Sequence, residues 1–202
     1  TEQYSPDFDA QLGFINRTDI KRYKGKLEYS FLPGKTYLYK YGPRLHYEYI
    51  TDWNNTLQEK TLSLYFIARS IKNTTLTEAY TRKYEVYKNK GYDIDKWGIR
   101  LSSYPFKFLL VSSGFEWADN IYYYGTPPFL GYVHRMDVRA TFIPTPRLTA
   151  ETAWQNEYFY ENKSRMNEVY KINIFDIKAS YLFTPSLSLR TIWEYEDYSK
   201  TH

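Results

Sequence analysis

No cysteine occurs among the 202 residues, which removes disulfide scaffolds and cysteine-ligated metal sites from consideration. Long apolar runs are missing too. The longest are short, such as residues 108–111, so no helix of this chain can span a membrane. Histidine is scarce: His46, His134 and His202 are the only three, and none has a second ligand at metal-binding spacing. Neither a metal nor a cofactor is expected, since Gly-rich phosphate loops, Walker motifs and dinucleotide fingerprints are all absent. An excess of one charge is also lacking. The 27 basic and 23 acidic residues leave a net charge of +4, too balanced for a nucleic-acid-binding surface. No basic-then-apolar leader opens the chain, and residue 1 is Thr, as expected of a mature protein or of a piece of a longer one.

What the chain has in abundance is aromatic side chains. Its 24 Tyr, 12 Phe and 5 Trp make up 20% of the residues. Disordered chains are poor in such residues, so disorder is excluded. The tyrosine share also leaves too few aliphatic residues for an ordinary soluble core.

Period-two alternation runs through most of the sequence, while helix signals are nearly absent. Over residues 23–32, Leu27, Tyr29 and Phe31 alternate with Lys24, Lys26, Glu28 and Ser30. The phase continues through Tyr37, Tyr39, Tyr41, Leu45, Tyr47 and Tyr49 against Arg44, His46 and Glu48. Pro33-Gly34 marks a hairpin turn between these two strands. Further strands are expected at residues 61–69, 76–87, 106–117, 120–124, 132–142, 148–157, 175–183 and 187–195. That makes about ten strands, most of them roughly 9 to 14 residues long, where soluble strands average about 5–6 and membrane-spanning strands need about 9–11.

Connections alternate in length as well. Short turns are expected at Pro33-Gly34, Lys72-Asn73, Thr145-Pro146 and Pro185-Ser186, and longer polar links near residues 53–58, 88–96, 126–130 and 160–167. One repeat is visible at a spacing of 39 residues, aligning Thr145-Pro146 with Thr184-Pro185, Leu148 with Leu187, and Trp154 with Trp193.

These features predict an all-β, antiparallel up-and-down transmembrane barrel, with residues 1–22 as a lead-in and 23–202 as part of a larger barrel. In that reading the polar phase faces the lumen: Lys24, Lys26, Glu28, His46, Glu48, Arg69, Arg135, Asp137, Arg139, Glu151, Glu157, Asp176, Lys178, Arg190 and Glu194. Tyr65, Val133 and Ile192 fall in the same phase although apolar. Aromatics near strand ends are the expected membrane-interface girdles: Tyr37, Tyr39, Tyr122, Tyr123, Tyr124, Trp154, Trp193 and Tyr195. A soluble all-β protein stacking glycans on its tyrosines is the competing reading, with residues 53–55 and 122–129 as its contacts. A hydrolase at His46 or His134 is the third, but the partners at hand, Arg135 and Asp137, lie on the opposite face from His134. No catalytic residue is expected.

The chain resembles a family of uncharacterised bacterial outer-membrane barrels, usually fused to an N-terminal domain similar to family-9 carbohydrate-binding modules. The resemblance lies in Asp7-Phe8-Asp9-Ala10-Gln11-Leu12-Gly13-Phe14, Asn16-Arg17-Thr18-Asp19, Gly42-Pro43-Arg44-Leu45 with Tyr47-Glu48-Tyr49, and Thr184-Pro185-Ser186-Leu187-Ser188-Leu189-Arg190 leading to Trp193 and Tyr195. It implies an outer-membrane location, lipid and lipopolysaccharide as surroundings, and surface or periplasmic proteins as partners. The family implies a C-terminal transmembrane barrel of unknown physiological role; a pore, or a membrane anchor or scaffold for an exported domain or surface assembly, is the function expected of this chain as a barrel. Two departures stand out: the carbohydrate-binding-like domain is missing, and the chain ends Tyr198-Ser199-Lys200-Thr201-His202 without a terminal aromatic.

Overall fold

In the computed structural model, residues 1–4, 19–34, 37–165 and 167–200 are described. They form one antiparallel sheet of eleven strands and, among the described residues, no helix. The strands are β1 (Glu2–Tyr4), β2 (Ile20–Glu28), β3 (Leu38–Thr51), β4 (Leu57–Ser70), β5 (Thr75–Tyr87), β6 (Lys90–Phe106), β7 (Leu109–Tyr122), β8 (Phe129–Thr145), β9 (Leu148–Tyr160), β10 (Glu168–Thr184) and β11 (Leu187–Lys200). Each pairs with the next in chain order. The sheet is open: β11 pairs with β10 alone, and β1 covers β2 only from Ile20 to Arg22.

The resembling stretch from Asp7 to Thr18 lies outside the described residues, as does His202. The expected domain boundary at residues 22/23 falls inside β2.

Connections alternate between two ends. At one end the turns are tight: residues 71–74, 107–108, 146–147 and 185–186. Ser70 opens the first of these, its Oγ accepting from the Lys72 and Thr74 amides, and Asn73 takes the left-handed conformation at φ 55°. Asparagine tolerates that region better than other residues with a Cβ. We call this the turn end. The opposite, loop end carries residues 52–56, 123–128 and 161–167.

Two expectations are corrected here. Residues 88–96 are not a polar link. Lys88 and Asn89 form a two-residue turn with φ 48° and 61°, and Lys90 already opens the 17-residue β6. Residues 106–117 are not one strand, because Lys107-Phe108 turns the chain between β6 and β7. β6 escapes the alternation pattern because Tyr92 and Ile94 put apolar groups in the phase that Lys96 and Arg100 make polar. The 39-residue repeat, in contrast, reappears in detail. β8 and β10 both have 17 residues, and Thr145 and Thr184 each accept the amide two residues on through Oγ1 at 3.3 Å.

A single sheet has no second layer to cover it, and the surface shows this. The chain exposes 14080 Å², where a compact soluble protein of this mass exposes about 10,000 Å². Eight hydrophobic residues are buried among those described, while 36 large ones stay exposed. The two faces are unequally accessible. On β4, Glu59, Thr61, Ser63 and Tyr65 are half-buried or buried, whereas Lys60, Leu62, Leu64 and Phe66 are exposed. β5 repeats the pattern, with Thr77, Ala79 and Thr81 less exposed than Leu76, Glu78 and Tyr80. Among the described residues no second layer overlies the polar side, so its lower accessibility marks the concave face of a curved sheet.

Candidate functional site: an apolar belt behind a charged concave face

Cross-strand pairing places the expected lumen residues on one face. Lys24, Lys26 and Glu28 oppose Glu48, His46 and Arg44. Arg69 keeps that side on β4, as do Arg135, Asp137 and Arg139 on β8, which oppose Glu116, Gly114 and Ser112. Glu151, Glu157, Asp176, Lys178, Glu194 and Arg190 continue it to β11. Tyr65, Val133 and Ile192 share this face, and Val133 is wholly buried.

Many of the charges on this face meet in ion pairs, across strands or, as for Lys178 and Asp176, along one. Glu28 takes Lys26, Lys40 and Arg44 at 3.3, 3.2 and 3.0 Å. Arg22 bridges Glu2 and Glu48, and Lys83 bridges Glu59 and Glu85. The densest ladder crosses β6 to β10. Arg100 holds both Asp137 oxygens at 2.8 and 2.7 Å, and Arg135 binds Glu116 at 2.7 Å and Glu157 at 2.5 Å. The Tyr170 hydroxyl donates to Glu157 at 2.6 Å. Arg100 reaches Asp137 across an intervening strand because Gly114 stands between them. A Cβ there would lie 2.5 Å from Arg100 Nη2 and 2.6 Å from Asp137 Oδ1. Arg69, Arg139, Glu151, Arg190 and Glu194 hold no ion pair among the described residues.

Arg100, Gly114 and Glu116 are absent from the sequence-based candidates. Arg100 is hidden with β6, whereas Glu116 carries a legible signal, a charge alternating with Phe115 and Trp117.

The opposite face carries an apolar belt. Leu64, Tyr80, Trp97, Trp117 and His134 are successive cross-strand partners, with Trp97 stacked on Trp117 at 4.7 Å. Toward the loop end each strand from β4 to β11 turns polar abruptly: Leu62 gives way to Lys60, Tyr80 to Arg82, Trp97 to Asp95, Trp117 to Asp119, Met136 to His134, Trp154 to Asn156, Phe175 to Asn173 and Tyr195 to Asp197. Toward the turn end the belt closes on a second aromatic row. Tyr29, Phe31 and Tyr41 are in ring contact there, as are Phe106, Phe108 and Phe142, and Tyr181 with Phe183. Glu78 is the acid inside the belt, and it accepts from Trp97 Nε1 at 3.0 Å.

This loop-end boundary is oblique to the pairing. From Tyr195 the register runs through Phe175, Trp154, Val138, Ser113, Leu101 and Leu76 to Ala68, six residues from Leu62. Six residues of drift over the seven strand steps from β4 to β11 correspond to strands inclined about 30° to the normal of the boundary plane. Perpendicular to that plane, the eight residue steps from Leu187 to Tyr195 or from Phe175 to Phe183 span about 23 Å.

The expected girdle residues divide. Trp154, Trp193 and Tyr195 lie on the apolar face, and Tyr37 and Tyr39 are exposed at the turn end. The three consecutive tyrosines lie elsewhere. Tyr122 belongs to a cluster on the charged face with Phe129, Phe159 and Tyr170, around buried Ala118 and Val133. Tyr123 donates to Glu85 at 3.2 Å, and Tyr124 stands 88% exposed in the loop. β7 ends at Tyr122, so Tyr123 and Tyr124 belong to the loop that follows and not to the strands that build the belt.

Among the histidines, His46 lies on the charged face opposite Lys26 and Ser63. His134 lies on the other face, ringed by Trp117, Tyr132 and Tyr160. In the 161–167 loop, Lys163 pairs with Asp119 at 3.0 Å, and that hydrogen bond raises the lysine above its ordinary range.

Comparisons with protein-family models, with curated proteins and with solved structures gave no match.

Proposed function

We propose that this chain forms the wall of a transmembrane β-barrel in a bacterial outer membrane, with its apolar belt against lipid and its charged face lining an aqueous passage. One observation carries the reading: the sheet is inside out for a water-soluble protein. Serines, threonines and ion pairs occupy the less accessible face, while leucines and aromatics occupy the more exposed one. In water that arrangement is unfavourable. Each half-exposed apolar side chain gains about 1 kcal/mol on leaving water, so the belt as a whole gains tens of kcal/mol in lipid.

Dimensions support the same reading. A span of about 23 Å matches the apolar band of about 25 Å in such barrels, and an inclination of about 30° lies near their usual strand tilt. Aromatic rows bound the band on both sides, where ring-and-hydroxyl side chains suit the headgroup level. The open edges cannot stay unpaired in hydrocarbon, so in the assembled protein they pair with further strands. Lipid and lipopolysaccharide are then its immediate partners. A soluble glycan-binding sheet would leave 36 large hydrophobics exposed to water with no counterpart, which favours the barrel.

Single-channel conductance in a planar bilayer tests the passage. Open steps whose cation/anion selectivity shifts on Arg139→Glu support it, since Arg139 is charged, exposed and unpaired. Insertion without any conductance refutes the passage and leaves a barrel that anchors or scaffolds an exported domain or surface assembly.

A further inference from the structure

At the loop end of the charged face, a cleft of about 540 Å³ opens among Asn120, Tyr122, Tyr124, Tyr170, Tyr198 and Lys200. Its volume lies within the range of small-molecule sites. Its inner wall is rigid: Tyr170 stacks on buried Phe159 at 5.1 Å, and Tyr122 packs against the same ring. That stack lies close to β8 because Gly131 leaves room for Phe159. The outer wall presents free ring surface, with Tyr124 88% and Tyr198 53% exposed. Tyr170 and Tyr198 approach at 6.2 Å with planes 32° apart, which makes a shallow aromatic trough. Directly toward the turn end lies the Glu116–Arg135–Glu157 ladder.

We propose that this tyrosine trough binds neutral oligosaccharide. The apolar faces of sugar rings would stack on Tyr124, Tyr170 and Tyr198, while tyrosine hydroxyls and Asn120 exchange hydrogen bonds with sugar hydroxyls. Three features select this class. The lining is aromatic with polar tips, which suits a ligand that is apolar on its ring faces and wet on its edges. It carries a single formal charge, Lys200, so an ionic ligand finds little to pair with. Beyond it, the acids and bases of the concave face are mostly paired, and among the described residues the unpaired Arg69, Lys96, Arg139 and Arg190 stand against Glu151, Glu194 and Glu196. An unpaired excess of a single charge gives an ionic ligand little to hold and suits an uncharged solute. The trough's role as the mouth of a passage rests on the barrel reading; binding itself does not.

The test uses the full chain folded in lauryldimethylamine oxide, a detergent without a sugar headgroup, and titrates maltohexaose, cellohexaose and chitohexaose by calorimetry. Triglutamate is the charged control, and insertion is scored in parallel by protease protection in liposomes. Saturable binding of at least one hexasaccharide is expected. Tyr124→Ala with Tyr198→Ala should weaken it about tenfold, while Phe at both positions weakens it less than about threefold. No saturable binding of any of the three sugars overturns the proposal. Unchanged affinity in the double alanine variant, or equal binding of triglutamate, overturns it too. Sugar binding without liposome protection supports the trough and refutes the membrane reading; protection without sugar binding does the reverse.

Discussion

Replacing Gly114 by Ala probes the charged face at its tightest point. The added Cβ would sit 2.5 Å from Arg100 Nη2, 2.8 Å from its Cζ and 2.6 Å from Asp137 Oδ1, so the guanidinium must leave its place across β7. The lost pair is bidentate, but the Arg100 side chain is 50% exposed and that of Asp137 19%, so solvent screening limits its worth to about 1 kcal/mol. Ala in a strand interior recovers about 0.5–1 kcal/mol relative to Gly. The two effects nearly cancel, and the single variant alone decides little. A double-mutant cycle separates them. In an Arg100→Ala background only the Asp137 carboxylate stays near the added Cβ, and without its partner it can rotate aside, so Gly114→Ala should stabilise by about 0.5–1 kcal/mol. In the native background it should be neutral or destabilising by about 0.5 kcal/mol, giving a coupling of about 1 kcal/mol. Urea unfolding in lipid vesicles, followed through the five tryptophans, measures all four proteins. A coupling indistinguishable from zero would refute the argument that Gly114 exists to pass the ion pair.

Other expectations follow from single positions. Ile177→Arg, in mid-belt, should cost about 2–4 kcal/mol in lipid vesicles, whereas Gln155→Arg on the charged face should stay within about 0.5 kcal/mol; equal costs would refute the assignment of faces. Gly131→Ala should destabilise by at least about 2 kcal/mol, because its Cβ meets the Phe159 ring and lies 2.5 Å from the Tyr160 carbonyl oxygen. Gly25→Ala, with nothing within 4 Å, should be neutral or mildly stabilising by the same unfolding assay. At Asn73, φ 55°, Val should cost about 1–2 kcal/mol and Gly almost nothing; the reverse order would deny the left-handed turn a role.

How much of this was legible in the sequence depends on whether one face stayed polar. Along residues 44–49 of β3, 135–142 of β8 and 148–155 of β9 the alternation holds, and those strands, their facing and the 39-residue hairpin repeat can be read directly. The pattern fails where the charged face turns aromatic at the loop end. Tyr92, Ile94, Val133, Phe159 and Tyr170 are apolar in the polar phase, because there the concave side packs on itself. β6 vanishes into that region, and its flanking turn Lys88-Asn89 lacks the Pro that marks Thr145-Pro146 and Pro185-Ser186. Tyr122 carries an aromatic ring in the polar phase for the same reason, which hides its place on the charged face. Ion pairing was visible only as mixed charge; the ladder itself needs the register, and Gly114 acquires meaning only once Arg100 and Asp137 are known to flank it.

The absence of cysteine permits the most direct test of the central claim, since single cysteines can be introduced without background. Nitroxide labels at Leu64, Phe66 and Ile177, and at neighbouring Gln155, Arg139 and Lys178, report contact with lipid through oxygen and with water through a nickel chelate. In reconstituted vesicles, the first three should be accessible to oxygen and shielded from nickel, and the second three the opposite. Nickel access at all six, or the opposite phase, would contradict a lipid-facing belt behind a water-filled charged face.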